Sequence, residues 1–249
     1  MFLIRETSIY HQIKETIITM NTQRDLFLLI GQSNMAGRGH LDSTTPLTHP
    51  NISMYREGLW QTAQEPLHTD KATAGISLGI SFAHQILNHS NNAQIGLLPC
   101  AVGGTPLSRW MPGNDLYENA VSITQAALSN GDILKGILWH QGEADSKDIP
   151  TANTYGARLT EMIATLRAEL QADHVPFISG ELGYFLQNHE QCRYFTKVNQ
   201  TLRTLKLPLY ACANASGLND IGDDVHFDGP SLREFGKRYA QKYLKLSHH

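Results

Sequence analysis

The sequence predicts an α/β protein built on a parallel sheet with helices on both faces. Three observations predict it. Short apolar runs recur along the chain, as in strands buried on both sides. The segments between them carry apolar residues at helical spacing. Alternation of the two, joined by right-handed crossovers, gives parallel strands. The strand candidates are Leu26 to Ile30, Ile95 to Leu98, Ile133 to Trp139, Phe177 to Ser179 and Leu209 to Ala213. Tyr155, Leu159, Met162, Ile163, Leu166 and Leu170 mark one helix, and Leu232, Phe235, Tyr239 and Tyr243 mark another.

The first strand candidate stops abruptly at Gly31-Gln32-Ser33-Asn34-Met35. Loops that follow such strands are where open α/β sheets hold reactive groups, which makes Ser33 the nucleophile candidate. A lone loop serine more often bonds a nearby backbone group, so the rest of the chain has to supply partners. Gly222-Asp223-Asp224-Val225-His226-Phe227-Asp228 offers a carboxylate and an imidazole three residues apart, a base and its orienter in Asp223 and His226. Val102-Gly103-Gly104-Thr105 and Trp139-His140-Gln141-Gly142-Glu143 each follow a strand candidate and offer oxyanion donors. Ser33, Gly104 and Gln141 can therefore converge at the carboxyl edge of one sheet.

These four blocks, in this order, resemble the motif blocks of the SGNH hydrolase superfamily. The Gln-Ser-Asn and His-Gln-Gly-Glu forms are similar to the branch that holds the family-six carbohydrate esterases (acetylxylan esterases) and sialate O-acetylesterase-like domains. The resemblance covers about residues 25 to 246. It implies a three-layer α/β/α sandwich with a five-stranded parallel sheet in flavodoxin-like order. It also implies Ser33 as nucleophile, His226 as general base and acid, and Asp223 as the group that orients His226. The oxyanion would be held by the backbone N–H groups of Ser33 and Gly104 and by the Gln141 side-chain amide. The chain departs from the superfamily pattern at Gln32, where the commoner block has aspartate, and at Gln141, where most members have asparagine. Glu143 is a second candidate for orienting His226, or for binding a sugar hydroxyl.

Two further features flank these blocks. His140 either belongs to the site or supports the Gln141 backbone. Arg109-Trp110 either lines a sugar subsite, the indole face against a pyranose and the guanidinium on its hydroxyls, or covers the edge of the core. Lys135 and Asp145-Ser146-Lys147-Asp148 read as solvated loop charges.

The chain has 249 residues and a formal net charge of −3, with both signs mixed along it. That gives no basic stripe for nucleic acid, and the expected substrate is not polyanionic. The expected organisation is an N-terminal extension over residues 1–24 followed by a single domain over 25–249. Three widely spaced cysteines, Cys100, Cys192 and Cys212, form no C-x-x-C pair and no disulfide framework, and Cys100 and Cys212 read as buried apolar thiols. The first twenty residues mix Arg5, Glu6, His11, Lys14 and Glu15 among short apolar runs, so no secretory signal is expected and the default address is cytoplasmic. Met20 is an alternative start, and His248 and His249 carry no assigned function. No run approaches the ~18 apolar residues of a membrane helix.

Gly75-Ile76-Ser77-Leu78-Gly79 matches the G-x-S-x-G pattern, which requires a strand before the serine. The residues before it are polar and small, and those after it, from Ile80 to Leu87, read as a helix, so Ser77 is a packing residue. Gly37-Arg38-Gly39 lacks the third glycine of a dinucleotide loop, since Asp42 stands there. There is no Walker-type lysine motif and no H-E-x-x-H, so neither nucleotide nor catalytic zinc is expected. The reading is a serine esterase that removes acetyl groups from carbohydrate hydroxyls and needs no metal or organic cofactor. The alternatives are a non-catalytic carbohydrate-binding protein on the same scaffold and a general short-chain esterase or acyltransferase.

Overall fold

Leu26 to Ile30 form the middle of strand β1 (Arg24–Gly31), and all five side chains are buried. Successive side chains point to opposite faces, so Leu26, Leu28 and Ile30 enter one core while Phe27 and Leu29 enter the other. This is why the strand reads as a continuous apolar run rather than an alternation. The structure is a computed structural model that describes residues 23–90, 93–129 and 131–247. The expected N-terminal extension therefore lies outside the described residues except for its last two, and Arg24 already belongs to β1. His248 and His249 also lie outside them.

Around β1 the sheet adds β2 (Ile52–Arg56), β3 (Leu59–Thr62), β4 (Gln94–Pro99), β5 (Ile133–His140), β6 (Phe177–Gly180) and β7 (Tyr210–Ala213), in the order β3-β2-β4-β1-β5-β6-β7. Six strands run parallel, and β3 pairs antiparallel with β2 at one edge. All five expected strands are present. Taken alone they lie in the order second, first, third, fourth, fifth, which is the flavodoxin-type winding.

The expected count of five strands is corrected to seven, in a mixed sheet. The two extra strands form a hairpin whose loop is Glu57-Gly58, both residues at positive φ as a tight primed turn requires. Neither carries an apolar run: β3 is mostly exposed, and β2 is only partly buried. The sequence signal was a short alternation around one X-Gly pair.

The helices are α1 (Ser33–Ala36), α2 (Gly79–Leu87), α3 (Asp115–Leu128), α4 (Ile149–Glu169), α5 (Phe195–Thr204) and α6 (Gly229–Ser247). α3, α4 and α5 cover one face of the sheet through Tyr117, Tyr155, Leu159, Val198 and Leu202. α2 and α6 cover the other through Ile80, Phe82, Leu232, Phe235 and Tyr239. The two helices read from periodicity are α4 and α6. Asp148 caps α4 by accepting from the Thr151 N–H at 2.9 Å, and Pro150 sits in its first turn, where no N–H is needed. Ser77 is fully buried ahead of α2, as expected of a packing residue. None of the described helices is long and apolar enough to cross a membrane.

Candidate active site

The chain leaves β1 at Gly31, whose φ of +130° few side chains tolerate; a Cβ there would stand 2.1 Å from the His140 carbonyl oxygen of neighbouring β5. Gln32 N–H donates to that carbonyl at 2.9 Å. The chain then turns at once into α1, a single helical turn that begins with Ser33. Ser33 thus sits at the carboxyl end of the central strand, where the winding of the sheet reverses from β4 on one side to β5 on the other.

His226 reaches Ser33 from the loop before α6. Its Nε2 lies 3.0 Å from Ser33 Oγ, and its Nδ1 lies 2.6 Å from Asp223 Oδ2. Asp223 also shapes the loop, its other oxygen accepting from the N–H groups of Val225 at 2.9 Å and His226 at 2.8 Å. Burial works against the Asp223 charge, but the His226 ring and the two backbone donors outweigh it and hold the carboxyl below its usual range. An ionised Asp223 favours the tautomer with the proton on Nδ1 and the Nε2 lone pair toward Ser33.

Glu143 does not touch the His226 ring. It is buried, accepts from Asn34 Nδ2 at 2.6 Å and faces His140 Nε2 at 3.5 Å. Burial opposes its charge, and His140 and Asn34 together outweigh burial, so its carboxyl also titrates low. Asn34, the residue after Ser33, accepts from Phe227 N–H at 3.1 Å and donates to the Val225 carbonyl at 3.0 Å. It ties the His226 loop to the turn that carries Ser33. Its place beside the serine was visible in the sequence, but no role was read for it.

On the other side of Ser33, the backbone N–H groups of Ser33 and Gly104 donate to no acceptor among the described residues. The Gln141 side chain does not join them. It is fully buried, and its Nε2 is spent on Asp145 Oδ2 at 2.6 Å, the Thr105 carbonyl at 3.2 Å and Gln32 Oε1 at 3.3 Å. The expectation that Gln141 donates directly to an oxyanion is corrected: a carboxylate and a carbonyl already take its hydrogens. Asp145, read as a solvated loop charge, is likewise corrected. It is fully buried between the Leu107 N–H at 2.7 Å and Arg158 at 2.8 Å, as well as Gln141.

Two more expectations change. Trp110 is buried edge-on against Trp139, with its Nε1 donating to Thr105 Oγ1 at 3.1 Å, so it covers the core and offers no face to a sugar. Arg109 is exposed and paired with Asp115, and it does not line the cleft. His140 is fully buried among Phe227 and Phe235, with its Nδ1 3.1 Å from the Tyr239 hydroxyl, and so supports β5 rather than touching ligand. Cys100 is buried as expected, and burial pushes its thiol up to about 12. Cys212 is only half-buried.

Ser33, His226, Asp223, Gly104, Gln32 and Glu143 all line one cleft of about 1020 Å³. Leu41, Ile221 and Val225 give it apolar surface. Lys71 and Lys147 also line it, and neither forms an ion pair among the described residues. A cleft of this size holds a ligand much larger than acetate.

Comparison with known proteins gives a consistent result. A family model described as carbohydrate esterase, sialic acid-specific acetylesterase, matches residues 23–245. A probable carbohydrate esterase of Arabidopsis thaliana, At4g34215, is 35% identical over 239 residues, covering 88% of this chain and 90% of its own. The solved structure of the Arabidopsis thaliana protein AT4G34215 superposes with a TM-score of 0.83 at 33% identity, covering 90% of this chain and 98% of that one. NanS shares the fold, with a TM-score of 0.76 at 17% identity over 91% of this chain and 98% of that one. So does XAC1771, a carbohydrate acetylesterase from Xanthomonas citri, with a TM-score of 0.65 at 21% identity over 90% of this chain and 57% of that one. With its α/β sheet, its site at the carboxyl edge and a family match over nearly its whole length, the chain belongs to the carbohydrate esterase, sialic acid-specific acetylesterase family and is a carboxylic ester hydrolase.

Proposed function

We propose that the protein is a serine esterase that removes O-acetyl groups from carbohydrate hydroxyls through an acetyl-enzyme. The observation that carries this reading is the hydrogen-bonded series Asp223, His226, Ser33, open to a cleft wide enough for a sugar. Ser33 Oγ attacks the ester carbonyl while its proton passes to His226 Nε2. The tetrahedral intermediate collapses, the bond to the sugar oxygen breaks, and Nε2 returns the proton to that oxygen. Water then attacks the acetyl-enzyme with its proton going to Nε2, and the C–Oγ bond breaks as Nε2 returns that proton to Oγ, regenerating Ser33 and releasing acetic acid, which ionises to acetate.

The oxyanion donors in this reading are the backbone N–H groups of Ser33 and Gly104, with the Gln32 amide replacing Gln141 as the third. The orientation of the Gln32 amide supports that exchange. Its oxygen accepts from the Ala144 backbone N–H at 3.4 Å, a donor that cannot reverse, and faces the nitrogen rather than the oxygen of the Gln141 amide, 3.3 Å away, whose direction is fixed by Asp145 and the Thr105 carbonyl. Gln32 Nε2 is thereby left for the cleft, which Gln32 lines.

Lys71 and Lys147 would meet the carboxylate of an acidic sugar, so O-acetyl sialic acids are favoured over neutral acetylated xylo-oligosaccharides. Acetate release from both sugar classes and from p-nitrophenyl acetate, with Ser33→Ala beside the wild type, tests the reading. Release from the sialic acids, lost in the variant, is expected. Release from the xylo-oligosaccharides alone would overturn the sugar class, and a fully active variant would overturn the nucleophile.

A further inference from the structure

Two buried titratable side chains, Arg38 and Asp70, stand against Gly103, and neither takes part in the chemistry above, although Arg38 also lines the cleft. Arg38 follows α1, and Asp70 lies in the connection between β3 and α2, 32 residues away. Their side chains are 6% and 2% exposed, low enough to make this a buried ion pair. It is bidentate, with Nη2 to Oδ2 at 2.6 Å and Nη1 to Oδ1 at 3.3 Å, and Nη1 also donates to the Gly37 carbonyl at 2.8 Å. Burying two charges costs desolvation, and apolar replacements of such pairs are often neutral or stabilising, so stability alone does not account for this one.

Geometry gives the other half. Asp70 Oδ2 accepts from the Gly103 N–H at 2.7 Å. A Cβ at Gly103 would stand 2.4 Å from Arg38 Nη2, 2.9 Å from Asp70 Oδ2 and 3.4 Å from Ser33 Cβ. The ion pair, the loop and the nucleophile are therefore in contact, and Gly103 is a glycine because nothing larger fits between them. The next N–H along the loop belongs to Gly104 and donates to no acceptor among the described residues. The loop is held on its far side as well, where Thr105 Oγ1 donates to the Val102 carbonyl at 2.8 Å and Val102 N–H donates to the Gly31 carbonyl at 3.0 Å.

We propose that Arg38 and Asp70 are positioning residues of the oxyanion site. Asp70 fixes Gly103 so that the Gly104 N–H is aimed before substrate arrives, and Arg38 cancels a carboxylate charge that would otherwise oppose the oxyanion. Neither residue touches the reacting atoms. Preorganised donors lose their value when they are misplaced or when a like charge stands behind them. The Asp70 side chain is nearly fully buried, so water would screen its uncancelled charge poorly. This role rests on the reading of Ser33 as nucleophile.

Steady-state hydrolysis of p-nitrophenyl acetate tests it, with wild type, S33A, D70A, D70N, R38Q and the R38Q/D70N double variant. Rates are normalised by active-site titration with a fluorophosphonate, so that unfolded protein does not count, except for S33A, whose rate is taken per mole of folded protein measured by circular dichroism. D70A should lose about 10²-fold in kcat with little change in KM, the signature of a transition-state interaction. D70N keeps an oxygen that accepts from Gly103 and should lose only about tenfold, a charge-assisted bond becoming a neutral one. R38Q leaves Asp70 uncancelled and should be slower than the double variant, in which that charge is gone. A partner acting only through stability would give no such recovery.

Wild-type kcat in D70A, or a double variant no faster than R38Q, would overturn the positioning role. If D70A and R38Q do not fold, D70N and the double variant decide: reduced kcat in both supports the role, and wild-type kcat in both overturns it. An inactive wild type, or S33A as fast as the wild type, would overturn the nucleophile reading and the positioning role together. An active wild type beside an inactive S33A separates the two.

Discussion

The two halves of the proposed site, the Asp223–His226 pair as base and the Ser33, Gly104 and Gln32 donors as oxyanion site, are assembled in opposite ways. The base half is local: Asp223 and His226 are three residues apart, share one turn, and are held by the backbone of that same turn, with side chains 39% and 25% exposed. The oxyanion half is long-range and, apart from the exposed Gly104, buried. Gln32, Gly104, Gln141 and Asp145 come from the ends of three strands, and Arg38 and Asp70 brace them from two more segments. A base has to move a proton and sit near water, whereas an oxyanion site has to hold dipoles still in a low dielectric. The base half should therefore be sensitive to the loss of one group, and the oxyanion half to the loss of any member of a network.

The largest effect is expected where the base half is cut. Asp223→Asn should lower kcat by about 10²- to 10⁴-fold, since an amide can hold the wrong His226 tautomer. Glu143→Gln, which reaches His226 only through Asn34 and the loop backbone, should cost less in kcat and show instead as a lower melting temperature. Kinetics and thermal melts on the same two variants check this. A larger kcat loss in Glu143→Gln than in Asp223→Asn would make Glu143 the orienting group.

The next effect falls on the oxyanion half. Gln32→Ala should lose about 10²-fold in kcat with little change in KM. Gln141→Ala should lower kcat by less and stability by about 1–3 kcal/mol, because buried Asp145 loses one of its three donors and the Thr105 carbonyl loses the Gln141 amide. Denaturant melts beside the kinetics separate the two variants. Equal kcat losses without any loss of stability in Gln141→Ala would return that residue to the cleft.

The smallest effect on turnover is expected at His68, beside the Arg38–Asp70 pair. Burial lowers its ring from the usual 6.5 to about 4, with Asp70 opposing. Between those values the unfolded chain binds the proton and the folded chain does not, so its contribution is complete above pH 6.5 and is lost as pH falls toward 4. Melting temperatures of His68→Leu and wild type over that range should show a flatter pH dependence in the variant. Parallel curves would mean that His68 is already protonated in the folded protein.

What was legible in the sequence follows the same division. Strands buried on both faces announce themselves as apolar runs, so β1, β4, β5 and β6 are readable, and half-buried β7 is readable from its Leu209–Ala213 run, whereas the β2–β3 hairpin, mostly exposed on β3, is not. Ser33, Asp223 and His226 were readable because each stands in a short motif with its neighbours. Gln141 was found, but its direct contact was not its own: two fixed acceptors turn its amide away from the cleft and onto Gln32. Arg38, Asp70 and Asp145 left no local trace, since their partners lie 32, 33 and 38 residues away. Asp145 even reads as solvated, because neither its partner Gln141 four residues away nor Arg158 thirteen away marks the segment as buried without the fold.

The most direct test of Ser33 as the nucleophile is covalent labelling. The enzyme is incubated with a fluorophosphonate, residual p-nitrophenyl acetate hydrolysis is followed, and the modified residue is located by peptide mass spectrometry. Inactivation in step with a single phosphonyl group on Ser33, and no labelling of Ser33→Ala, is the predicted result. Full inactivation with the label on another residue, or full activity with Ser33 modified, would contradict it.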